Sequence, residues 1–357
     1  MTMRSAGPFL ILLVGIAGCE GAPAPPAPQT LRPFVGGVER LSPELDDLLA
    51  REERLEVLAE GFTWSEGPVW LPSQQSGFLL FSDVPENRVH RWSENLGTDV
   101  WLSPSGFTGA PPRGGGLGSN GLTLSADGSL LLAQHGDRRV ARLDGPLESL
   151  QGAGSFVTIA DRYEGQRFNS PNDLIVDRDG TLFVTDPPYG LEQGPEDPRR
   201  ELPFHGVYAV DPQGHLVLVS EAMSRPNGVG LSPDGAFLYV ANSDPEDAVW
   251  WRFARSESGA FVRPSDDPVF FDATPLVASR PGVPDGLAVD GEGNLWASGP
   301  GGILVLSPEG RHLGTLLTER ATSNCTFGAD GFLYITADDL LLRVQTRTSG
   351  AGRRPLP

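Results

Sequence analysis

Residues 169–190 read NSPNDLIVDRDGTLFVTDPPYG: an amide and a carboxylate, Asn172 and Asp173, stand directly before an apolar strand, and an Asp-Gly turn leads into a second strand. Polar side chains ahead of a core strand need a reason, and the chain repeats the arrangement. SGFLLFSD (76–83), ADGSLLLAQ (126–134), RDGTLFVTD (178–186), PDGAFLYVAN (233–242), GEGNLWASG (291–299) and ADGFLYITA (329–337) each join a Gly-containing tight turn to an alternating or wholly apolar strand. Asp-Gly serves in four of the six, as a hairpin turn needing positive φ favours. The turn glycines, 77, 128, 180, 235, 293 and 331, are spaced by 51, 52, 55, 58 and 38 residues. Units of roughly fifty residues with several short strands match the blade of a β-propeller. Solenoid repeats are shorter, and a β-sandwich rarely repeats its sequence so regularly. The expected fold is all-β, a six-bladed β-propeller over residues 45–347. Pairing of LEVLAEGF (55–62) with LLLRVQT (340–346) would close the ring and remove the open sheet edges.

The composition agrees. The 357 residues include 45 Gly and 33 Pro, and few segments sustain a 3.6-residue apolar period, so strands and turns dominate. A formal charge of −19 argues against nucleic acid as a partner, because phosphate binding needs clustered Lys and Arg. Cations or neutral small molecules suit such a chain better.

The first residues read as an export signal. Arg4 precedes the apolar run FLILLVGIAG (9–18), too short to span a bilayer as a mature helix. It ends in Ile16-Ala17-Gly18-Cys19, which resembles a bacterial lipobox with Cys19 as the lipidation site. Residues 1–18 are thus expected to be a lipoprotein signal peptide, 19–44 a Pro/Ala-rich tether and 348–357 a C-terminal tail. The mature protein is expected to be a monomer, exported and facing the periplasm or exterior, touching the membrane only through its lipid. Cys325, the remaining cysteine, lies beside Phe327 and reads as a buried structural thiol.

The polar residue before each inner strand keeps a fixed phase. Asn120, Asn172, Asn227 and Asp285 each precede their turn glycine by eight residues, Asn324 by seven and Glu66 by eleven. A fixed phase in a radial repeat puts these side chains at equivalent places, near the mouth of the central channel. Asn-Gly and Asp-Gly pairs also serve ordinary turns, but a turn does not explain why Asn, Asp and Glu alternate while the phase holds. Carboxylates and amide oxygens without Cys or several His make a site for a hard cation. Calcium takes six to eight such oxygens at about 2.3–2.6 Å.

At these residues the chain resembles the regucalcin/gluconolactonase family (SMP-30/gluconolactonase/LRE-like), its bacterial gluconolactonase branch in particular. The resemblance covers about residues 54–345 and rests on SEGPVW, SPNDLIVD, RPNGVGLSPDG and VPDGLAVDGEGNLW in the family's order, with LLLAQHGDRRVARL and VTDPPYGL marking the branch. It implies a six-bladed propeller holding one divalent cation, usually Ca2+, with Zn2+, Mg2+ and Mn2+ as alternatives. Carried residue by residue, it implies Glu66, Asn172, Asn227 and Asp285 as metal ligands, Asp285 also as general acid/base, and Asn120 and Asn172 as substrate contacts. The activity implied is hydrolysis of a lactone ring, a carboxylic ester hydrolase acting on a small lactone or ester. The alternatives are phosphotriester hydrolysis at the same metal, or a non-catalytic propeller that binds a partner. Regucalcin-like members carry Arg two residues before the Asn of PND; here that position is Ser170, with Arg167 as a nearby substitute.

Other residues complete the candidate set. His135 in AQHGD is placed to reach the pocket as a substrate contact or proton shuttle. Asp186 and Tyr189 of DPPYG are expected on a loop, serving the turn or the substrate. PPRGGGLG (111–118) lacks the Lys-Ser/Thr of a P-loop and reads as a flexible lip over the entrance. Trp70, Trp92 and Trp296 sit in strand patterns and belong to the core.

Overall fold

A computed structural model describes residues 32–72, 77–110, 113–147, 152–263 and 268–352. The strands gather into six antiparallel sheets, one per repeat, with a separate ribbon of Arg162–Tyr163 and Gln166–Arg167. From the centre outward, the first blade is Ser65–Leu71, Phe78–Asp83, Arg88–Ser93 and Gly97–Leu102. The second is Ser119–Leu124, Leu130–Gln134, Arg139–Asp144 and Ser155–Ala160. Leu174–Val176, Leu182–Asp186, Gly206–Val210 and Leu216–Ser220 make the third. Pro226–Leu231, Phe237–Asp244 and Asp247–Arg255 carry the fourth, with short Phe261–Val262 and Val269–Asp272 along its edge. The fifth runs Leu287–Val289, Leu295–Gly299, Gly302–Leu306 and His312–Leu317.

The sixth blade joins the two ends of the domain. Thr322–Phe327, Phe332–Ala337 and Leu340–Gln345 pair outward onto Leu55–Glu60, with Leu340 opposite Glu60 and Leu341 opposite Ala59. The innermost strands touch their neighbours in cyclic order, the sixth returning to the first. The molecule is a six-bladed β-propeller, closed by the strand pair expected from the sequence.

Two signals in the repeat account for this geometry. All six turn glycines adopt left-handed φ, between 72° and 89°, a region that costs a side chain and costs Gly nothing. Apolar residues on both faces of each sheet then meet the next sheet. Six buried clusters result, one between each adjacent pair of blades: Leu80 with Leu132, Val184 with Leu131, Val240 with Phe183, Trp250 with Ala297, Trp296 with Ile335, and Phe81 with Tyr334. Trp70, Trp92 and Trp296 are buried in these clusters, as expected. Cys325 is buried as well, its thiol 3.1 Å from the Trp296 carbonyl, and burial pushes its pKa up.

The domain reaches further at both ends than 45–347. Phe34–Val35 pairs with Leu55–Glu60, and Gly37–Arg40 pairs with His312–Leu317 as an extra outer strand of the fifth blade. The tether expected over 19–44 therefore ends before residue 34, because Val35 and Val38 pack on the core between blades five and six. At the other end Gly350 bridges Asp290 and the Ala351 N–H donates to the Val289 carbonyl at 2.8 Å, so part of the expected tail lies on the fifth blade. Residues 1–31, with the signal peptide and Cys19, lie outside the described residues, as do 353–357.

Candidate active site

Four of the six innermost strands break register at their start, between Glu66 and Val69, Ser119 and Leu122, Pro226 and Val229, and Thr322 and Asn324. The break lets the polar residue leave the sheet ladder. In four blades Gly follows it, and the reason is the neighbouring blade. A Cβ on Gly67 would lie 2.1 Å from the Asn120 carbonyl, one on Gly228 2.1 Å from the Asp285 carbonyl, and one on Gly286 1.9 Å from the Asn324 amide carbon. Hydrogen bonds complete the ring: Gly121 N–H to the Asn172 carbonyl, 2.7 Å; Gly286 N–H to the Ser323 carbonyl, 2.7 Å; and Ser323 Oγ to the Ser65 carbonyl, 2.6 Å.

Blade three solves the same problem differently. Asp173 stands where those four blades have Gly, and its two oxygens accept the Leu174 N–H at 2.9 Å and the Val229 N–H of blade four at 3.2 Å. The polar pair of NSPND is therefore one residue facing the centre and one tying two blades together.

Glu66, Asn120, Asn172 and Asn227 are buried and Asp285 is half-buried; Asp285 lies in the field of Glu66, and the Asn227 amide reaches it. Glu66 accepts the Gly67 N–H at 2.9 Å. Burial pushes its carboxyl up to about 8, the Asp173 charge adding to the shift while the Gly67 N–H and the Asn324 and Trp64 side chains oppose it. Burial raises Asp285 well above the carboxylate range, and the charges of Glu66 and Asp173 raise it further, with the Asn227 amide pulling the other way. Burial takes Asp173 to about 6. Three carboxylates thus repel one another at the centre, and what offsets them is backbone N–H and amide, not a guanidinium or ammonium.

The amides divide by what their oxygens do. Asn324 Oδ1 accepts the Cys325 N–H at 2.8 Å, and its side chain serves Glu66 and Asp173 as a donor. Asn227 gives its Nδ2 to Ser243 Oγ, 2.9 Å. Asn120 Oδ1 and Asn172 Oδ1 are buried with no hydrogen-bond partner. Buried acceptors without donors are rare and costly. Two such oxygens at the inner ends of blades two and three, with crowded carboxylates on blades one, three and five, have the chemistry of a hard-cation site, in which oxygen donors are accepted and the charge relieved. Among the described residues no three His, Cys, Asp or Glu group as metal ligands, so such a site would depend on these amide oxygens.

His135 follows strand Leu130–Gln134 and is buried, its Nε2 3.5 Å from Asn172 Nδ2 and its Nδ1 without a partner. Burial, with the Arg113 charge, takes its pKa down to about 3, so the ring is neutral at ordinary pH. Asp186 is fully buried and accepts the Asn169 and Ser170 N–H groups at 2.7 Å each, which makes it an anchor of the loop. Arg167 does not take the place that Ser170 leaves. Its guanidinium donates to the Asp137 carbonyl at 2.6 Å, in a surface cleft of about 330 Å³ shared with Phe107, Arg139 and Thr158. In the stretch read as a flexible lip, Arg113 donates to the carbonyls of Gly190 and Gly136 at 2.9 and 3.0 Å, pinning it to blades two and three. Pro111 and Pro112 lie outside the described residues.

One group of site residues is absent from the sequence-based list. Ser82, Thr185, Ser243, Ser298 and Thr336, near the end of each second strand, bond the broken inner strands: Ser82 Oγ donates to the Asn120 carbonyl at 2.8 Å and Ser298 Oγ to the Gly286 carbonyl at 2.8 Å. The signal is visible in FSD, VTD, ASG and ITA, a hydroxyl five residues after the turn glycine in four of six repeats; Ser243 of NSD comes eight after its own.

Residues 64–338 match the family described as the SMP-30/Gluconolactonase/LRE-like region. The chain belongs to this family. It is 38% identical over 323 residues to a gluconolactonase of Zymomonas mobilis, covering 88% of each chain. It is 28% identical over 281 residues to the pentonolactonase XacC of Haloferax volcanii, covering 76% of this chain and 80% of that one. A solved gluconolactonase structure from Xanthomonas campestris superposes with a TM-score of 0.74 at 31% identity, over 90% of this chain and 99% of that one.

Proposed function

We propose that this family member hydrolyses a lactone, with a divalent cation held at the centre of the propeller and Asp285 as general acid/base. The observation that carries the reading is the pair of carboxylates, Glu66 and Asp285, that raise each other's charge cost, together with the buried Asn120 and Asn172 oxygens of blades two and three that have no hydrogen-bond partner. The lactonases among its relatives support the reaction class. Glu66, Asn172, Asn227 and Asp285 would hold the cation, with Ca2+ favoured because every donor is oxygen. A cation there would polarise the lactone carbonyl and stabilise the negative charge that develops on its oxygen.

The chain's own residues supply the rest. Asp285 is half-buried, and its carboxylate is the group assigned to proton transfer. It takes a proton from water as the water oxygen bonds to the carbonyl carbon. The ring C–O bond then breaks and the same proton passes to the departing oxygen, leaving a hydroxy acid. Asn120 and His135 lie beside the metal set and are assigned to the substrate. A neutral His135 can donate or accept a hydrogen bond there but carries no charge.

The test is a panel of D-glucono-1,5-lactone, aliphatic lactones and a phosphotriester, given to protein lacking residues 1–30 with and without chelator. Calcium-restorable turnover of lactones is expected; preference for the phosphotriester, or none with calcium bound, would overturn it. The N-terminal motif supports export and lipid anchoring through Cys19. Wild-type protein that stays out of the detergent phase, with no mass added at Cys19, would overturn that part.

A further inference from the structure

The Asp186–Leu191 turn holds an aromatic side chain in an unusual setting. Tyr189 is 38% exposed, yet its hydroxyl lies within hydrogen-bonding reach of Ser243 and in the field of Asp285. Ser243 Oγ accepts from Asn227 Nδ2 at 2.9 Å and donates to the carbonyl of Pro284, the residue before Asp285, at 2.5 Å. A phenol from blade three thus reaches toward the inner ends of blades four and five, beside the carboxylate assigned to the chemistry.

The backbone behind this ring is fixed from three sides. Ser170 is fully buried; its Oγ donates to the Pro187 carbonyl at 2.5 Å and accepts the Gly190 N–H at 2.9 Å. Arg113 donates to the Gly190 carbonyl at 2.9 Å and the Gly136 carbonyl at 3.0 Å. Gly190 itself is pressed so close that a Cβ would sit 2.6 Å from His135 Cβ and 2.7 Å from Ser170 Cβ. These anchors hold the backbone on both sides of the tyrosine, while the side chain itself stays 38% exposed.

We propose that Tyr189 is the specificity residue of this site, its phenol hydrogen-bonding a ring hydroxyl of a polyhydroxylated lactone, with Ser170 and Arg113 as the positioning residues that hold it beside Asp285. The inference rests on the lactonase reading above and deepens it to a substrate class. A Tyr hydroxyl can donate and accept at once, so it can keep Ser243 and still meet a substrate hydroxyl. Its pKa is pushed up by burial, which keeps the proton on the phenol. A site built to bond a substrate hydroxyl discriminates against analogues that lack it, because its polar group is then left unpaired.

The experiment compares kcat/KM for D-glucono-1,5-lactone with that for δ-valerolactone, which has the ring without the hydroxyls, at saturating calcium. In Tyr189→Phe the ratio of the two is expected to fall about tenfold, the size of one lost hydrogen bond. Arg113→Ala should lower the same ratio by a smaller factor, chiefly through KM for the gluconolactone, and Arg113→Lys should not restore it, because Lys lacks the two-pronged donor. A ratio unchanged in Tyr189→Phe, or an equal fall on both lactones, would overturn the inference and leave the lactonase reading standing. No turnover of either lactone by the unaltered protein would overturn both.

Discussion

Asp173 and Asp285 occupy adjacent steps of the same repeated motif, one residue apart in phase, in blades three and five. Both are carboxylates at the centre of the propeller, and burial raises the pKa of each, with the charges of Glu66 and Asp173 raising Asp285 further. Their oxygens are spent differently. Asp173 takes the Gly step, and each of its oxygens accepts a backbone N–H, one of them from the next blade. Asp285 takes the preceding step and is half-buried, with the Asn227 amide and the Gly286 N–H beside it. A one-residue shift in phase separates a carboxylate that binds blades together from one free to act. Residue type alone would not distinguish them.

The largest expected effect breaks that comparison directly. Asp285→Asn keeps an oxygen for a cation but cannot accept a proton at neutral pH. Its turnover of a lactone should fall by on the order of 10²–10⁴ even with calcium at saturation. Asp173→Asn should stay within about tenfold of wild type, since Asp173 is assigned no proton in the reaction. Equal losses in the two variants, measured as kcat at saturating metal, would erase the distinction. Full recovery of Asp285→Asn by added calcium would reduce Asp285 to a ligand and move the base role to another group.

Stability should show the reverse ranking. Gly228→Ala brings a methyl to 2.1 Å from the Asp285 carbonyl, a contact the closed ring cannot relax without parting two blades. A loss of about 3 kcal/mol is expected from such overpacking, read as a lowered urea midpoint with the m-value unchanged. Asp173→Ala leaves two buried N–H groups without acceptors and should cost about 1–3 kcal/mol. A Gly228→Ala variant as stable as wild type would mean that the innermost strands are not held by close approach.

How much of this could be read beforehand follows from what repeats. The blades were readable because Gly77, Gly128, Gly180, Gly235, Gly293 and Gly331 mark one backbone conformation six times. Asn120, Asn172, Asn227 and Asp285 stood out because a residue that varies in type at constant phase is not serving its own turn; Glu66, eleven before its glycine, stood out through SEGPVW. Phe34–Val35 and Gly37–Arg40 were hidden, since they follow a Pro-rich stretch and have no repeat partner. Ser170 and Arg113 were hidden for another reason: their partners are backbone carbonyls and N–H groups of distant turns, which no side-chain pattern records. Asp186, which the motif alone leaves to the turn or the substrate, is spent on the turn: it accepts the Asn169 and Ser170 N–H groups and the Asn169 side-chain amide.

The smallest expected effect is a tilt of stability with pH, and it sharpens the role of the carboxylates as a group. Burial raises Glu66 to about 8 and Asp173 to about 6 in the folded chain, above the roughly 4 of an unfolded carboxylate. Above pH 4 the unfolded chain has lost those protons while the folded chain still holds them. The folded state therefore binds more protons, and its stability falls as pH rises, until the last of these groups ionises near pH 8. With chelator present, the melting temperature should decline between about pH 5 and pH 8. Added calcium should flatten or reverse the decline, because a cation that binds only the folded, ionised site stabilises it by mass action. Glu66→Gln supplies the control: the variant lacks the more strongly shifted of Glu66 and Asp173, so its chelated decline should be shallower and its calcium-induced rise smaller. A chelated wild type as steep as Glu66→Gln, with equal calcium shifts in both, would show that Glu66 neither stores the charge conflict nor meets the ion.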